Sequence, residues 1–417
     1  MIMNVLIFIV SLLVYAGYGL PGLAFLAGAT ALSYAAGRFT PKFPWVMWIS
    51  VGLNAVMLTM LKLEPYTGLG LLAPMGISYF ALRIISYNVD VYRGKVLPEK
   101  NFFRYALYIT YLPYMFIGPI EAYNPSRFEN RKMTWEGIFQ GAARVVWGLF
   151  KKFVIAARIG VVISAISGDT ELYRGLYALF AMLLYSVQLY ADFSGGIDMV
   201  LGASRMLGVP LSENFDVPYF SQSFQEFWRR WHMTLGTWLR NYVYIPLGGN
   251  RKGKVRKVFN TVITFLVSGL WHGAHYLLWG LLNGIFVCFG DKLKTRWKTL
   301  NRVLMFLAVS LLWSFFVWPD TLTALKMVLS VLTAFDPVGF AAGVGALGLT
   351  LTDWIVLAVA AMGLWACDIW RSRLGQWYGK LCPAAKTALI CTMALVVLVF
   401  GMYGIGFNAE AFIYSRF

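Results

Sequence analysis

Charged side chains are scarce in this chain: they make up 13% of its 417 residues, roughly half the share of an ordinary soluble domain. A chain so poor in charge cannot cover a globule of its size with hydrated surface, which excludes a conventional water-soluble protein. Cysteine occurs four times, at positions 288, 367, 382 and 391, with no Cys-x-x-Cys spacing. That pattern excludes a disulfide framework and a thiolate zinc site and leaves inert, buried thiols. Histidine occurs three times, as His232, His272 and His275. His272 and His275 lie three apart and could share a helical face, but no carboxylate or cysteine nearby completes a ligand set, so no metal is expected. There is also no low-complexity linker and no repeat with a period of roughly 20 to 50 residues. One integral membrane domain covering 1–417 is the economical reading.

What the chain has in abundance is apolar sequence: 59% of residues are hydrophobic and the mean hydropathy is +0.64. In lipid, backbone polar groups must be satisfied internally, which leaves helices or closed barrels. Barrel strands alternate apolar and polar residues; here the apolar runs are long and unbroken, near 3–18, 20–36, 44–62, 70–88, 103–120, 136–165, 174–203, 259–270, 275–290, 302–318, 324–345, 351–367 and 385–406. Some are short or amphipathic, so an all-α polytopic membrane protein of about ten to twelve spans is predicted. The run at 2–18 has no basic residues before it and no cleavage site after it, and reads as a first span rather than a removed signal. The net charge of +17 is concentrated in short segments between apolar runs, at 127–132, 251–257, 292–298 and 371–380. This is the distribution of cytoplasmic loops, drawn to anionic lipid headgroups, and it argues against nucleic acid as a partner. A multi-pass protein of the plasma (inner) membrane follows.

The stretch from 212 to 260 does not fit a simple span. It interleaves Glu213, Asp216, Glu226, Arg229, Arg230, His232, Arg240 and Asn241 with aromatic residues. Phe224, Phe227, Trp231, Leu235 and Trp238 recur every three to four residues, which predicts an amphipathic helix lying at the interface or re-entering the protein. An ionisable group at membrane depth is costly and therefore a functional candidate, although a neutral imidazole hydrogen-bonded between helices is the plainer alternative. Imidazole suits acyl transfer, because its ordinary pKa of about 6.5 lets it take a hydroxyl proton near neutral pH. Asp192, in the sequence YADFSGG after a long apolar run, is a candidate to orient a histidine or to bind substrate, with structural pairing to an arginine as the alternative. Ser194 lacks the surroundings of a nucleophile elbow.

The segment FQEFWRRWHMTLGTWLRNYVYIPLGGNR (224–251), followed by SGLWHGAH (268–275), resembles the membrane-bound O-acyltransferase (MBOAT) family. Within that family it is most similar to the bacterial branch that acetylates alginate or transfers D-alanine to teichoic acid. PMGISYFALRIISYNVDVYRG, FIGPI and YADFSGGIDM are similar to that branch too, so the resemblance covers about 71–290. It implies a ring of helices around a cytoplasmic funnel and a central tunnel, with His272 as the catalytic histidine and His232 lining the same tunnel. Trp231, Trp271, Arg229, Arg230, Asn241 and Asp192 are then tunnel or support candidates, and His275 is given no catalytic role. The last residues, FIYSRF at 412–417, resemble a C-terminal acyl-relay motif in which Tyr414 would accept the acyl group; an aromatic anchor at the membrane interface is the alternative.

The resemblance implies an acyl group, acetyl first and D-alanyl second, taken from a cytoplasmic thioester (acyl-CoA or an acyl carrier protein) with no bound cofactor. The group would be passed to a cell-envelope or exopolysaccharide polymer with the help of an extracytoplasmic partner. A polymer-precursor transporter or flippase is the rival of another class. Inverted repeats and paired broken helices, the marks of many transporters, are not visible.

Overall fold

A computed structural model of the chain describes residues 2–71, 73–129 and 131–403. Among them there is no strand, only one isolated antiparallel bridge between Phe215 and Trp231. The N-terminal part holds α1 (Ile2–Ala16), α2 (Leu20–Phe39), α3 (Trp45–Thr67), α4 (Ile77–Tyr92), α5 (Phe102–Thr110) and α6 (Leu112–Met115). The centre is α7 (Trp135–Phe150), α8 (Ala157–Gly168) and α9 (Leu176–Met206). The polar stretch gives α10 (Phe224–Arg230) and α11 (Met233–Leu239), followed by a hairpin of α12 (Gly253–His272) and α13 (Leu277–Phe289). The remainder is α14 (Lys298–Val317), α15 (Thr321–Thr333), α16 (Pro337–Gly343), α17 (Leu351–Ile369), α18 (Arg371–Lys380) and α19 (Pro383–Phe400).

Six of these helices, α2, α3, α9, α14, α17 and α19, are long and apolar enough to cross a membrane, and Thr321–Thr333 with Pro337–Ala346, bent by 116°, adds a seventh if counted as one span. Two of the other apolar runs of the sequence are interrupted. The run near 70–88 becomes helical only at Ile77, after a turn at Pro74–Gly76, and that near 103–120 breaks at Tyr111 and again at Phe116. Those near 259–270 and 275–290 are the two arms of one hairpin, and α12 begins with Lys254, Arg256 and Lys257.

The core is organised around α9, whose 31 residues make a rod of about 46 Å. It runs antiparallel to α7 at very short range because glycines meet in register. A Cβ on Gly141 would lie 2.5 Å from the Gly202 carbonyl oxygen, and one on Gly148 would lie 2.5 Å from that of Gly195. Without a hydrophobic force between helices in lipid, such small-residue contact supplies the packing energy. Below this seam α7 opens into a wide π-turn, Lys151–Ala156. The turn carries two lysines onto the acids of α9: Lys151 is 2.5 Å from Asp198 and donates to Ser194 Oγ at 2.8 Å, while Lys152 is 2.7 Å from Asp192. Arg144 completes the network, reaching Asp198 at 2.8 Å and both oxygens of Glu213 at 2.6 Å.

This network also fixes the chain that follows α9. Glu213 and Asp216 pair in turn with Arg371, at 3.5 and 3.6 Å, and Asp216 with Arg230 at 3.9 Å. Arg127 donates to the Pro210 carbonyl, and Arg229 and Lys294 border one cleft. The basic clusters around 127–132, 292–298 and 371–380 thus gather at one end of the bundle. The α12–α13 hairpin brings 251–257 to the same end.

Candidate functional site

His272 is the last residue of α12. The helix stops there because Gly273 adopts φ +152°, a conformation closed to side-chain-bearing residues, and its N–H closes the final turn on Gly269 O at 3.0 Å. One 3-10 turn, Ala274–Tyr276, then leads into α13. The hairpin closes tightly, since a Cβ on Gly280 would sit 2.4 Å from Phe265 O. His272 is held deep in the protein, 7% exposed, in a cage of Trp271, Trp279, Phe316 and Tyr276, whose ring centroids lie 4.7, 5.6, 5.5 and 6.1 Å from its own.

His232 arrives by a different route. The periodicity of 224–238 predicts a single amphipathic helix, but the structure breaks it at Trp231–His232 into α10 and α11. The break has a physical cause. Phe215 pairs with Trp231, Asp216 N–H donates to Arg230 O at 3.0 Å, and Met233 N–H donates to Asn214 O at 3.0 Å. These bonds pull the backbone out of helical geometry, and His232 takes up φ 45°, ψ 53°. A left-handed conformation in a non-glycine residue costs about 1–3 kcal/mol and persists only when its surroundings over-determine it. The side chain is 3% exposed and lies edge-on to Phe193, 4.9 Å between centroids.

Both histidines line one cavity of ≈ 820 Å³. Its walls are largely apolar and include the aromatic rings of Trp228, Trp231, Trp279, Trp313, Phe265 and Phe316. Among the described residues, the five charged side chains that border it are all basic: Arg229, Arg240, Lys254, Lys257 and Lys292. One face of α12 forms a wall along its length, with Lys254, Lys257, Thr261, Thr264, Ser268 and His272 spaced three or four apart. That spacing is one helical stripe. Lys257 and His272 are separated by fifteen residues of continuous helix, or about 22 Å. The cavity therefore runs from a cationic mouth, past hydroxyls and aromatic rings, to a deeply buried imidazole.

Of the other residues singled out from sequence, Trp231 and Arg229 line this cavity. Trp271 does not, but its ring lies between the histidines, 4.7 Å from His272 and 6.2 Å from His232, and its indole N–H donates to Ser78 O at 3.2 Å. Arg230 points away, paired with Glu226 at 2.8 Å. Asn241 sits in the π-turn Arg240–Tyr244 and accepts from Arg93 through its carbonyl at 3.1 Å. Asp192 is paired with Lys152, a lysine rather than an arginine, away from the cavity lining. His275 lies outside it too, half-buried against Tyr276. Tyr414 lies outside the described residues. Sequence reasoning passed over Asn214, which is wholly buried and bonded to His232. It also passed over the hydroxyl stripe of α12, although its spacing was there to be read.

Comparison with known proteins places this geometry in a family. Residues 96–333 match the MBOAT, membrane-bound O-acyltransferase family, and this stretch contains both histidines and the whole cavity. The chain is 35% identical to a probable alginate O-acetylase AlgI of Pseudomonas putida, over 75% of this chain and 71% of that protein. It is 29% identical to the peptidoglycan O-acetyltransferase of Helicobacter pylori, covering 76% and 71% of the two chains. To the teichoic acid D-alanyltransferase of Streptococcus thermophilus it is also 29% identical, covering 65% and 70%. With its apolar spanning helices, its matched domain and these relatives, the chain belongs to the membrane-bound O-acyltransferase family and is a multi-pass membrane O-acyltransferase.

Proposed function

We propose that this protein takes an acetyl group from a thioester donor on the cytoplasmic side of the inner membrane and delivers it for O-acetylation of a cell-envelope or exopolysaccharide polymer. The observation that carries this reading is the continuity of the cavity from its basic mouth to His272. A thioester carried on a phosphate-bearing arm, as in coenzyme A or an acyl carrier protein, fits both ends. Its phosphates meet Lys254, Lys257 and Lys292, and an arm of about 22 Å brings the acyl carbonyl to the imidazole. The gathering of basic clusters at the mouth supports a cytoplasmic entrance.

In the chemical step, His272 takes the proton of the acceptor hydroxyl as its oxygen attacks the thioester carbonyl. The C–S bond breaks, and the proton passes to the departing thiolate. The aromatic walls keep water from the activated carbonyl, which limits hydrolysis. His232 lines the same passage. Tyr414 is the proposed first acceptor hydroxyl, its aryl ester remaining activated for a second transfer by an extracytoplasmic partner. Acetyl is preferred over D-alanyl because a relative 35% identical over 75% of this chain and another 29% identical over 76% of it are named for O-acetylation; the D-alanyltransferase relative, matched over 65% of this chain, keeps D-alanyl as the second reading.

The test is to reconstitute the purified protein in liposomes and supply labelled acetyl thioester, and in parallel labelled D-alanyl thioester, to the face bearing Lys257. Label from the acetyl donor on a hydroxyl of the chain or of added acceptor is expected. Transfer from the D-alanyl donor alone, or only from the opposite face, would overturn the proposal.

A further inference from the structure

We propose that Asn214 locks His232 as the tautomer protonated on Nδ1, so that its Nε2 lone pair is held in the cavity as an acceptor for an N–H, O–H or S–H group of the bound substrate. The assignment follows from a closed chain of hydrogen bonds. Thr234 N–H donates to Asn214 Oδ1 at 3.0 Å, so the amide cannot be flipped, because its NH2 would then face another donor. Ile120 N–H donates to Thr234 Oγ1 at 2.9 Å, and the Thr234 hydroxyl donates its own proton to Asn214 Oδ1 at 2.9 Å. The remaining approach to Oδ1 is made by His232 Nδ1 at 3.2 Å. An amide oxygen can only accept, so Nδ1 carries the proton and Nε2 does not.

Nε2 is buried and meets no hydrogen-bond partner among the described residues. Its ring lines the cavity, and an unpaired buried acceptor of this kind is expected to be satisfied by a ligand or a water. The rings against His232 come from α9 (Phe193) and α12 (Trp271) and are uncharged. Of the carboxylates flanking these segments, Glu226 on α10 is engaged by Arg230 and Glu213, next to Asn214, by Arg144 and Arg371; His272 is the other histidine that lines the cavity. Arg144 thereby acts at a distance: by gripping Glu213 it holds the neighbouring Asn214 on the imidazole. Asn214 and Arg144 are positioning residues. A carbonyl oxygen is excluded as the partner of Nε2.

This inference rests on the reading of the cavity as the donor passage only for its kinetic consequence; the tautomer can be read without any activity. With three histidines in the chain, ¹⁵N-histidine labelling of the reconstituted protein gives a spectrum of three imidazoles, assigned by His232→Gln and His275→Gln. The expected result for His232 is a protonated Nδ1 and an unprotonated Nε2. A proton on Nε2 instead overturns the proposal outright. Asn214→Leu should mix the two tautomers and lower kcat/KM by roughly tenfold, the loss of one hydrogen bond. Asn214→Asp keeps an acceptor on Nδ1 but favours the doubly protonated ring, so the acid limb of its activity profile should move to higher pH than that of wild type, whose own acid limb comes from His272. An Asn214→Asp profile that superimposes on the wild-type profile, or an unchanged His232 spectrum in Asn214→Leu, would also overturn it. Should Asn214→Leu fail to insert, the wild-type spectrum alone decides.

Discussion

The cationic mouth gives the most quantitative prediction. Lys257 and Lys292 are solvent-exposed and border the cavity, Lys257 about 22 Å of helix away from His272. Replacing both with methionine removes two positive charges while sparing the long aliphatic stems. At a hydrated surface one close pair of unit charges is worth about 1 kcal/mol. The double variant should therefore lose about 2 kcal/mol of donor affinity, roughly thirtyfold in KM. The kcat should change by less than about twofold, because nothing at the reacting centre has moved. The assay is the initial rate of labelled acetyl transfer by protein in nanodiscs, with donor titrated at low and high salt. Since exposed charges are screened within roughly 3 Å at 1 M salt, the gap between wild type and variant should shrink as salt is raised. A variant with an unchanged KM, or with its loss confined to kcat, would refute the assignment of the mouth to the donor.

Other consequences can be checked with single substitutions. Gly148→Leu drives a side chain into the Gly195 carbonyl 2.5 Å away, so it should lower the melting temperature in detergent, by the equivalent of about 3 kcal/mol, and reduce the yield of inserted protein. Arg144→Met leaves Asp198 and Glu213 short of a counter-charge and should destabilise by about 3 kcal/mol. Because Glu213 flanks Asn214, thermal denaturation and activity should both respond. His275→Gln should leave acetyl transfer within about twofold of wild type, since His275 stands outside the cavity lining; a loss comparable to that of His272→Ala would contradict the site as drawn.

Some of this was legible in the sequence, for definable reasons. Low charge and long apolar runs dictate a helical membrane protein, because lipid leaves the backbone no other partners. The histidines stood out for the same reason, an ionisable ring being expensive among apolar neighbours. What local pattern could not reveal is where a helix yields to tertiary contact. Residues 224–238 have an unbroken helical period, yet the pairing of Phe215 with Trp231 splits them at His232. Asn214 was invisible because it reaches its partner across eighteen residues and nothing in its own neighbourhood marks it. The π-turn at Lys151–Ala156 is likewise imposed from outside, by the acids of α9. The stripe from Lys254 to His272 was different: its three-to-four spacing was on view and needed only to be read as a wall instead of a lipid-facing surface.

The central claim is that the imidazole at the inner end of the cavity removes the acceptor proton. Its most direct test is the initial rate of acetyl transfer by purified, correctly inserted His272→Ala at saturating donor. General-base catalysis contributes about 10²- to 10⁴-fold, so the rate should fall by at least about a hundredfold with donor binding retained. A variant that binds donor and transfers acetyl within a fewfold of wild type would contradict the account.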